Sequence, residues 1–174
     1  MDERDYHCHV VHMTRDELRD CILSQNTDFY HGFNAHELRK FKQCNGQVIN
    51  FCRSGDFGPG VYLYESIDDV LSDDTKAIAV FRQHRYLTTP EILHLKTPDE
   101  WLAWVESSQR SDAFSDPSWI QPTCIIGPTA HQSENIQMCI RDWNAGHRYL
   151  GGKGVLGTDY NDYHGTANML VILK

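Results

Sequence analysis

Residues 56–66 read Asp56-Phe57-Gly58-Pro59-Gly60-Val61-Tyr62-Leu63-Tyr64-Glu65-Ser66. Two glycines bracket a proline and feed directly into Val61-Tyr62-Leu63-Tyr64, with little side-chain bulk before the strand residues. A tight turn is therefore expected, feeding a strand through Tyr62, Leu63 and Tyr64. Read conservatively, this is a β-turn entering a core strand. Its low side-chain bulk also opens the backbone at Gly58 and Gly60 to a flat or phosphorylated ligand, and it presents Tyr62 at the sheet rim.

The rest of the chain alternates short apolar runs with helix-start signals. Strands are expected over 6–13, 27–33, 47–52, 91–95, 123–128, 136–141 and 168–173, from their apolar and β-branched content. Thr14 with Glu17, and Asn34 with Glu37, form capping boxes that open short helices, the second over 37–42. Ser66 with Asp69 has the same spacing. Val70, Leu71, Ala77, Ile78, Val80 and Phe81 then predict helix, interrupted near residues 72–74.

Thr97-Pro98-Asp99-Glu100 is the clearest helix start, and Trp101, Leu102, Trp104 and Val105 are its expected buried stripe. Residues 107–118, 129–134 and 146–157 read as loops. Tyr163-His164-Gly165-Thr166 echoes Tyr30-His31-Gly32-Phe33 over too short a span to establish a repeat. The sum is one α+β domain spanning 1–174. A chain of 174 residues buries about 70% of its extended surface and needs neither disulfide nor metal to fold.

A formal charge of -8 argues against a phosphate-backbone binder, so nucleic acid is not an expected partner. The six cysteines, Cys8, Cys21, Cys44, Cys52, Cys124 and Cys139, form no Cys-x-x-Cys pair. Buried free thiols in a reducing compartment explain them best, although an even count also permits disulfides. No secretory h-region and no apolar run of membrane-spanning length is visible, which favours a soluble, cytoplasmic protein with no membrane partner. His7 and His9 share one strand face, but no third ligand follows at a recognisable spacing, so no metal is expected.

Three elements then fall in order: His31-Gly32, then Gly58-Pro59-Gly60-Val61-Tyr62 with Ser66, then Ile136-Gln137-Met138-Cys139-Ile140-Arg141-Asp142. Together they resemble the ADP-ribosyltransferase superfamily, in the branch of poly-ADP-ribose polymerases and diphtheria toxin, whose signature is His, Tyr, Glu. The resemblance implies a split antiparallel β-sheet core with short flanking helices. It also implies NAD as substrate, cleaved at the nicotinamide–ribose bond, with ADP-ribose passed to an acceptor, most readily a protein, or to water.

Holding NAD for that cleavage needs a group near the ribose hydroxyls, a backbone amide on the nicotinamide and an aromatic plate for its cationic ring. His31, Gly32 and Tyr62 can supply these in turn, and the resemblance implies the same roles, with Ser66 helping to hold the amide. Arg53 and the loop to Phe57 are candidates to cover the pyrophosphate.

The departure from the family lies in the third motif. Gln137 stands where the glutamate is expected, and it can orient a ribose hydroxyl but carries no negative charge. Glu134 is the alternative catalytic residue, and Gln132-Ser133-Glu134 looks like the Gln-x-Glu signature of another transferase branch, which expects arginine where this chain has His31. Within one strand an odd offset sends Glu134 and Gln137 to opposite faces, so only one can face the cleft unless Glu134 belongs to the loop. The missing glutamate disfavours polymer elongation. It leaves mono-ADP-ribosyl transfer, NAD hydrolysis, or a catalytically inactive module of the same fold.

Overall fold

The computed structural model describes residues 9–22, 28–43, 55–58, 60–82, 92–108, 124–141 and 169–174. Among them are eight strands, three α-helices and a 3₁₀ turn: β1 (His9–Met13), α1 (Arg15–Ile22), β2 (Asp28–Phe33), α2 (Ala35–Gln43), β3 (Val61–Tyr64), the turn Ile67–Asp69, β4 (Ala77–Arg82), β5 (Ile92–His94), α3 (Pro98–Ser108), β6 (Cys124–Pro128), β7 (Ile136–Ile140) and β8 (Met169–Leu173). The architecture is α+β, as the sequence predicts. The strands expected over 6–13, 27–33, 91–95, 123–128, 136–141 and 168–173 all occur within the described residues, with Leu95 and Arg141 falling just outside theirs; the one expected over 47–52 lies outside the described residues, as does the echo at 163–166.

The helices start where local chemistry says they should. Glu17 N–H donates to Thr14 Oγ1 (3.1 Å) at the head of α1. At α2 the box is reciprocal: Asn34 N–H donates to Glu37 Oε2 and Glu37 N–H to Asn34 Oδ1, both at 2.9 Å. At α3, Glu100 N–H donates to Thr97 Oγ1 (3.1 Å), and Glu100 Oε2 accepts from the N–H groups of Thr97 and Lys96. Ser66 differs, since its side chain makes no cap bond and only the 3₁₀ turn follows.

The sheet order is β1-β8-β4-β2-β3-β7-β6-β5. Its centre is antiparallel, but the edge strands β1 and β5 run parallel to their neighbours β8 and β6, so the sheet is mixed. The segment over 77–81, expected to be helical, is strand β4. Ala77, Ala79 and Phe81 face a core that includes Phe29, Phe33, Leu38, Phe41 and Met138, whereas Ile78 and Val80 face a second with Leu18, Tyr30, Ile67 and Val70. A strand buried on both faces shows no polar alternation, and its apolar run imitates a buried helix.

On the side opposite α2, the packing divides into two clusters. One joins α1 and the 3₁₀ turn to β2, β4 and β8, and the other joins α3 to β3, β6 and β7 through Phe57, Tyr62, Trp101, Ile125 and Cys139. Tyr64 packs against both. The division coincides with the β2–β3 junction, where the ladder has a single registered pair, Tyr30↔Tyr64. In α3 the expected stripe is partial: Trp101 is buried, Trp104 and Val105 are half-buried, and Leu102 is exposed. Cys124 and Cys139 are buried as expected, whereas Cys21 on α1 is exposed.

Candidate functional site

Where β2 and β3 part, a cleft of about 780 Å³ opens. Its lining includes His31, Gly32, Asp56, Tyr62, Tyr64 and Gln137, drawn from β2, the turn before β3, β3 itself and β7. Glu37 and Lys40 of α2, with Asp69, Val70, Ser72, Asp74 and Thr75, also line it. The segment 70–75 is tied down by Thr75 Oγ1, which donates to the Val70 carbonyl (2.8 Å), and by Lys76 N–H on the Phe33 carbonyl (2.7 Å).

His31 bridges the split. Its Nδ1 lies 2.7 Å from the carbonyl oxygen of Tyr62, and a carbonyl only accepts, so Nδ1 carries the proton. Burial pushes the imidazole pKa below its ordinary value, against smaller upward effects of this hydrogen bond and of Glu37. In the neutral ring Nε2 is then the acceptor nitrogen. Its edge meets Phe33, with ring centroids 5.1 Å apart.

Gly32 sits beside His31 under the opposite wall. A Cβ there would approach the Val70 carbonyl oxygen to 2.8 Å, so only glycine lets β2 run this close to residue 70. The sequence motif therefore has a packing reason as well as its expected ligand role.

Tyr62 is placed differently from the exposed plate expected at the sheet rim. It is 6% exposed, because the turn 55–58 folds over the tip of the ring. Its hydroxyl accepts from Phe57 N–H (2.9 Å) and donates to the Gly58 carbonyl (2.6 Å). Gly58 has φ 94°, a left-handed conformation that favours glycine, and a Cβ on Gly55 would run into the Tyr62 ring. From the other flank, α3 holds the same turn: Ser108 Oγ donates to the Asp56 carbonyl (2.7 Å), sharing its hydrogen with the Val105 carbonyl (3.0 Å), and Trp104 Nε1 donates to the Phe57 carbonyl (3.3 Å).

Gln137, on β7, is 3% exposed and opposite Tyr64 in register. Its Nε2 donates to the Pro128 carbonyl (3.1 Å), which also accepts from Trp101 Nε1 (2.8 Å), and to Asp56 Oδ2 (3.4 Å). Both partners are acceptors, which fixes the amide orientation and turns Oε1 away from them. Glu134 lies in the turn before β7 and is exposed, outside the cleft lining, so of the two candidates for the third position Gln137 is the one in the cleft. Ser66 is half-buried and also outside the lining. Arg53 lies outside the described residues, as does His7 of the histidine pair considered for a metal. Among the described residues, no group of three His, Cys, Asp or Glu side chains is arranged to hold a metal ion.

Asp56 is the site residue that sequence reasoning missed. The cleft's ionisable lining, beyond His31 and the tyrosines, is Glu37, Asp56, Asp69 and Asp74 against Lys40. Burial raises the Asp69 pKa, opposed by a hydrogen bond from Asn135 and reinforced by Asp68. This acidic lining favours a cationic group over an anionic one. Among the described residues no helix is long and apolar enough to cross a membrane. No family model, curated protein or solved structure matches the chain.

Proposed function

We propose that this chain is an ADP-ribosyltransferase-fold enzyme that binds NAD across the β2–β3 split and cleaves its nicotinamide–ribose bond, passing ADP-ribose to a protein acceptor or to water. The observation that carries this reading is the convergence of His31-Gly32, Tyr62 and Gln137, three sites far apart in sequence, on one cleft where β2 and β3 share a single registered pair. The order of the three motifs in the sequence supports the same assignment.

In this reading His31 Nε2 accepts from a ribose hydroxyl, the Gly32 backbone holds the nicotinamide amide, Tyr62 faces the nicotinamide ring and Gln137 Oε1 orients the ribose. Breaking the glycosidic bond leaves its electron pair on nicotinamide, which departs neutral, and builds positive charge on the ribose. An acidic lining suits both the cationic ring and that developing charge, and Lys40 is the lining cation available to the pyrophosphate.

One observation favours a second reading, a pocket that binds an NAD-like ligand without chemistry. The turn 55–58 covers the tip of Tyr62 and is held by hydrogen bonds from Tyr62, Ser108 and Trp104. Full stacking on Tyr62 requires that turn to shift.

Nicotinamide release by the purified protein, with and without cell extract as acceptor, tests the choice. Release that is lost in His31→Ala and Tyr62→Ala supports the enzyme. Saturable NAD binding without release supports the binding module, and neither binding nor release removes both.

A further inference from the structure

The chemistry just proposed asks for a carboxylate next to the ribose, and the third motif offers Gln137 instead. Four acidic side chains line the cleft. Glu37 is engaged in the capping box of α2, where Oε2 accepts from Asn34 N–H (2.9 Å). Asp69 belongs to the 3₁₀ turn and is bonded by Asn135, and Asp74 lies in the exposed turn leading to β4. Asp56 alone among the four has a hydrogen bond with Gln137, Oδ2 to Nε2 at 3.4 Å.

We infer that Asp56 is the catalytic carboxylate of this site and that Gln137 is its positioning residue, an inference that rests on the NAD reading above. The two together do what a single glutamate at position 137 would do. Gln137 is anchored on β7 and on the Pro128 carbonyl, and it presents its N–H to the Asp56 carboxylate. The backbone beneath Asp56 is fixed independently. Ser108 Oγ holds its carbonyl, Trp104 and Tyr62 hold Phe57, and Gly58 N–H returns to the Gly55 carbonyl (3.0 Å). The bonds that hold the turn also keep the Asp56 carboxylate beside Gln137.

Its task has two parts. As the C1′–N bond breaks and its electron pair leaves with nicotinamide, the Asp56 carboxylate stabilises the positive charge on the ribose. As an acceptor hydroxyl or water forms the new C1′–O bond, its proton passes to Asp56 and then to solvent, restoring the carboxylate. Charge and atoms balance, because cationic NAD yields neutral nicotinamide and one released proton.

The test measures NAD affinity by calorimetry and the kcat and KM of nicotinamide release, for wild type, Asp56→Asn, Asp56→Glu and Gln137→Ala. Asp56→Asn is isosteric and its Oδ1 can still accept from Gln137, so the turn and NAD affinity are expected to persist while release slows on the order of 100-fold. Asp56→Glu, which keeps the charge, recovers part of the rate and separates charge from folding. Gln137→Ala lowers kcat more than it changes KM. Release by Asp56→Asn at the wild-type rate, from a wild type that is active, overturns the role of Asp56 and leaves the NAD reading standing. A wild type that neither binds NAD nor releases nicotinamide overturns both.

Discussion

The Nδ1 of His31 stands 2.7 Å from the carbonyl oxygen of Tyr62, across the place where β2 and β3 separate after their single registered pair. A side chain here replaces the next bond of a ladder. The two strands stay joined beside the cleft through this side-chain bond. The same contact fixes which ring nitrogen bears the proton, so a structural bond determines the hydrogen-bonding character of the site.

That contact makes stability depend on pH in a defined direction. Burial holds the folded-state pKa of His31 below its ordinary 6.5. As pH falls below that value, the unfolded chain takes up a proton here before the folded chain does, so stability is full above it and is lost as pH falls through the folded pKa. Below the folded pKa both states are protonated and the dependence ends. His31→Gln retains a donor for the Tyr62 carbonyl but does not titrate. Urea unfolding at about pH 7.5 and about pH 5.5 should show a smaller pH-dependent loss for the variant than for wild type. Equal losses would mean that His31 contributes no part of the acid sensitivity.

Tyr62→Phe removes a hydroxyl and little volume, and it strips partners from Phe57 N–H and the Gly58 carbonyl. Leaving buried backbone groups unsatisfied costs about 1–3 kcal/mol each where water cannot enter, so a loss of at least 1 kcal/mol in unfolding free energy is expected. Hydrogen exchange offers a local check: the Phe57 amide should exchange much faster in the variant. Unchanged protection at Phe57 would show that the turn is held by α3 alone.

Legibility in the sequence followed the range of the interactions. The caps at Thr14, Asn34 and Thr97 are bonds between residues three apart, and they could be read directly. The strand β4 could not, because the two separate cores that bury its alternate residues are assembled by distant parts of the chain. Gln137 was legible as a candidate, but its bond to Asp56 joins residues 81 positions apart and leaves no local trace. The burial of Tyr62 was missed for the same reason, since Ser108 and Trp104, distant in sequence, help to hold the turn that covers it.

Residues 134 and 137 should respond very differently to truncation. Glu134 is exposed ahead of β7, and its replacement by alanine is expected to change unfolding free energy by less than about 0.5 kcal/mol. Gln137 is 3% exposed, and alanine there abandons Asp56 and the Pro128 carbonyl, at about 1–3 kcal/mol. Denaturant melts of the two variants measure the contrast, and comparable losses would put Glu134 in a packed environment rather than on the surface.

Two glycines at the site are required for different reasons, and alanine substitution distinguishes them. Gly58 has φ 94°, so Gly58→Ala strains the backbone by about 1 kcal/mol in a turn that carries Asp56 and covers Tyr62. The backbone at Gly32 is under no such constraint, but a Cβ there would meet the Val70 carbonyl oxygen at 2.8 Å and the Val70 Cβ at 3.3 Å. The obstacle is backbone, held in turn by Thr75 Oγ1, and it cannot yield by a simple rotamer change. Gly32→Ala should therefore move the cleft wall at residues 70–75 away from β2 and cost about 1–3 kcal/mol. Hydrogen exchange should report lost protection around residues 70–76 in Gly32→Ala and around residues 57–58 in Gly58→Ala. If both variants loosened the same segment, the wall and the turn would be one cooperative unit, and the two halves of the cleft could not open independently.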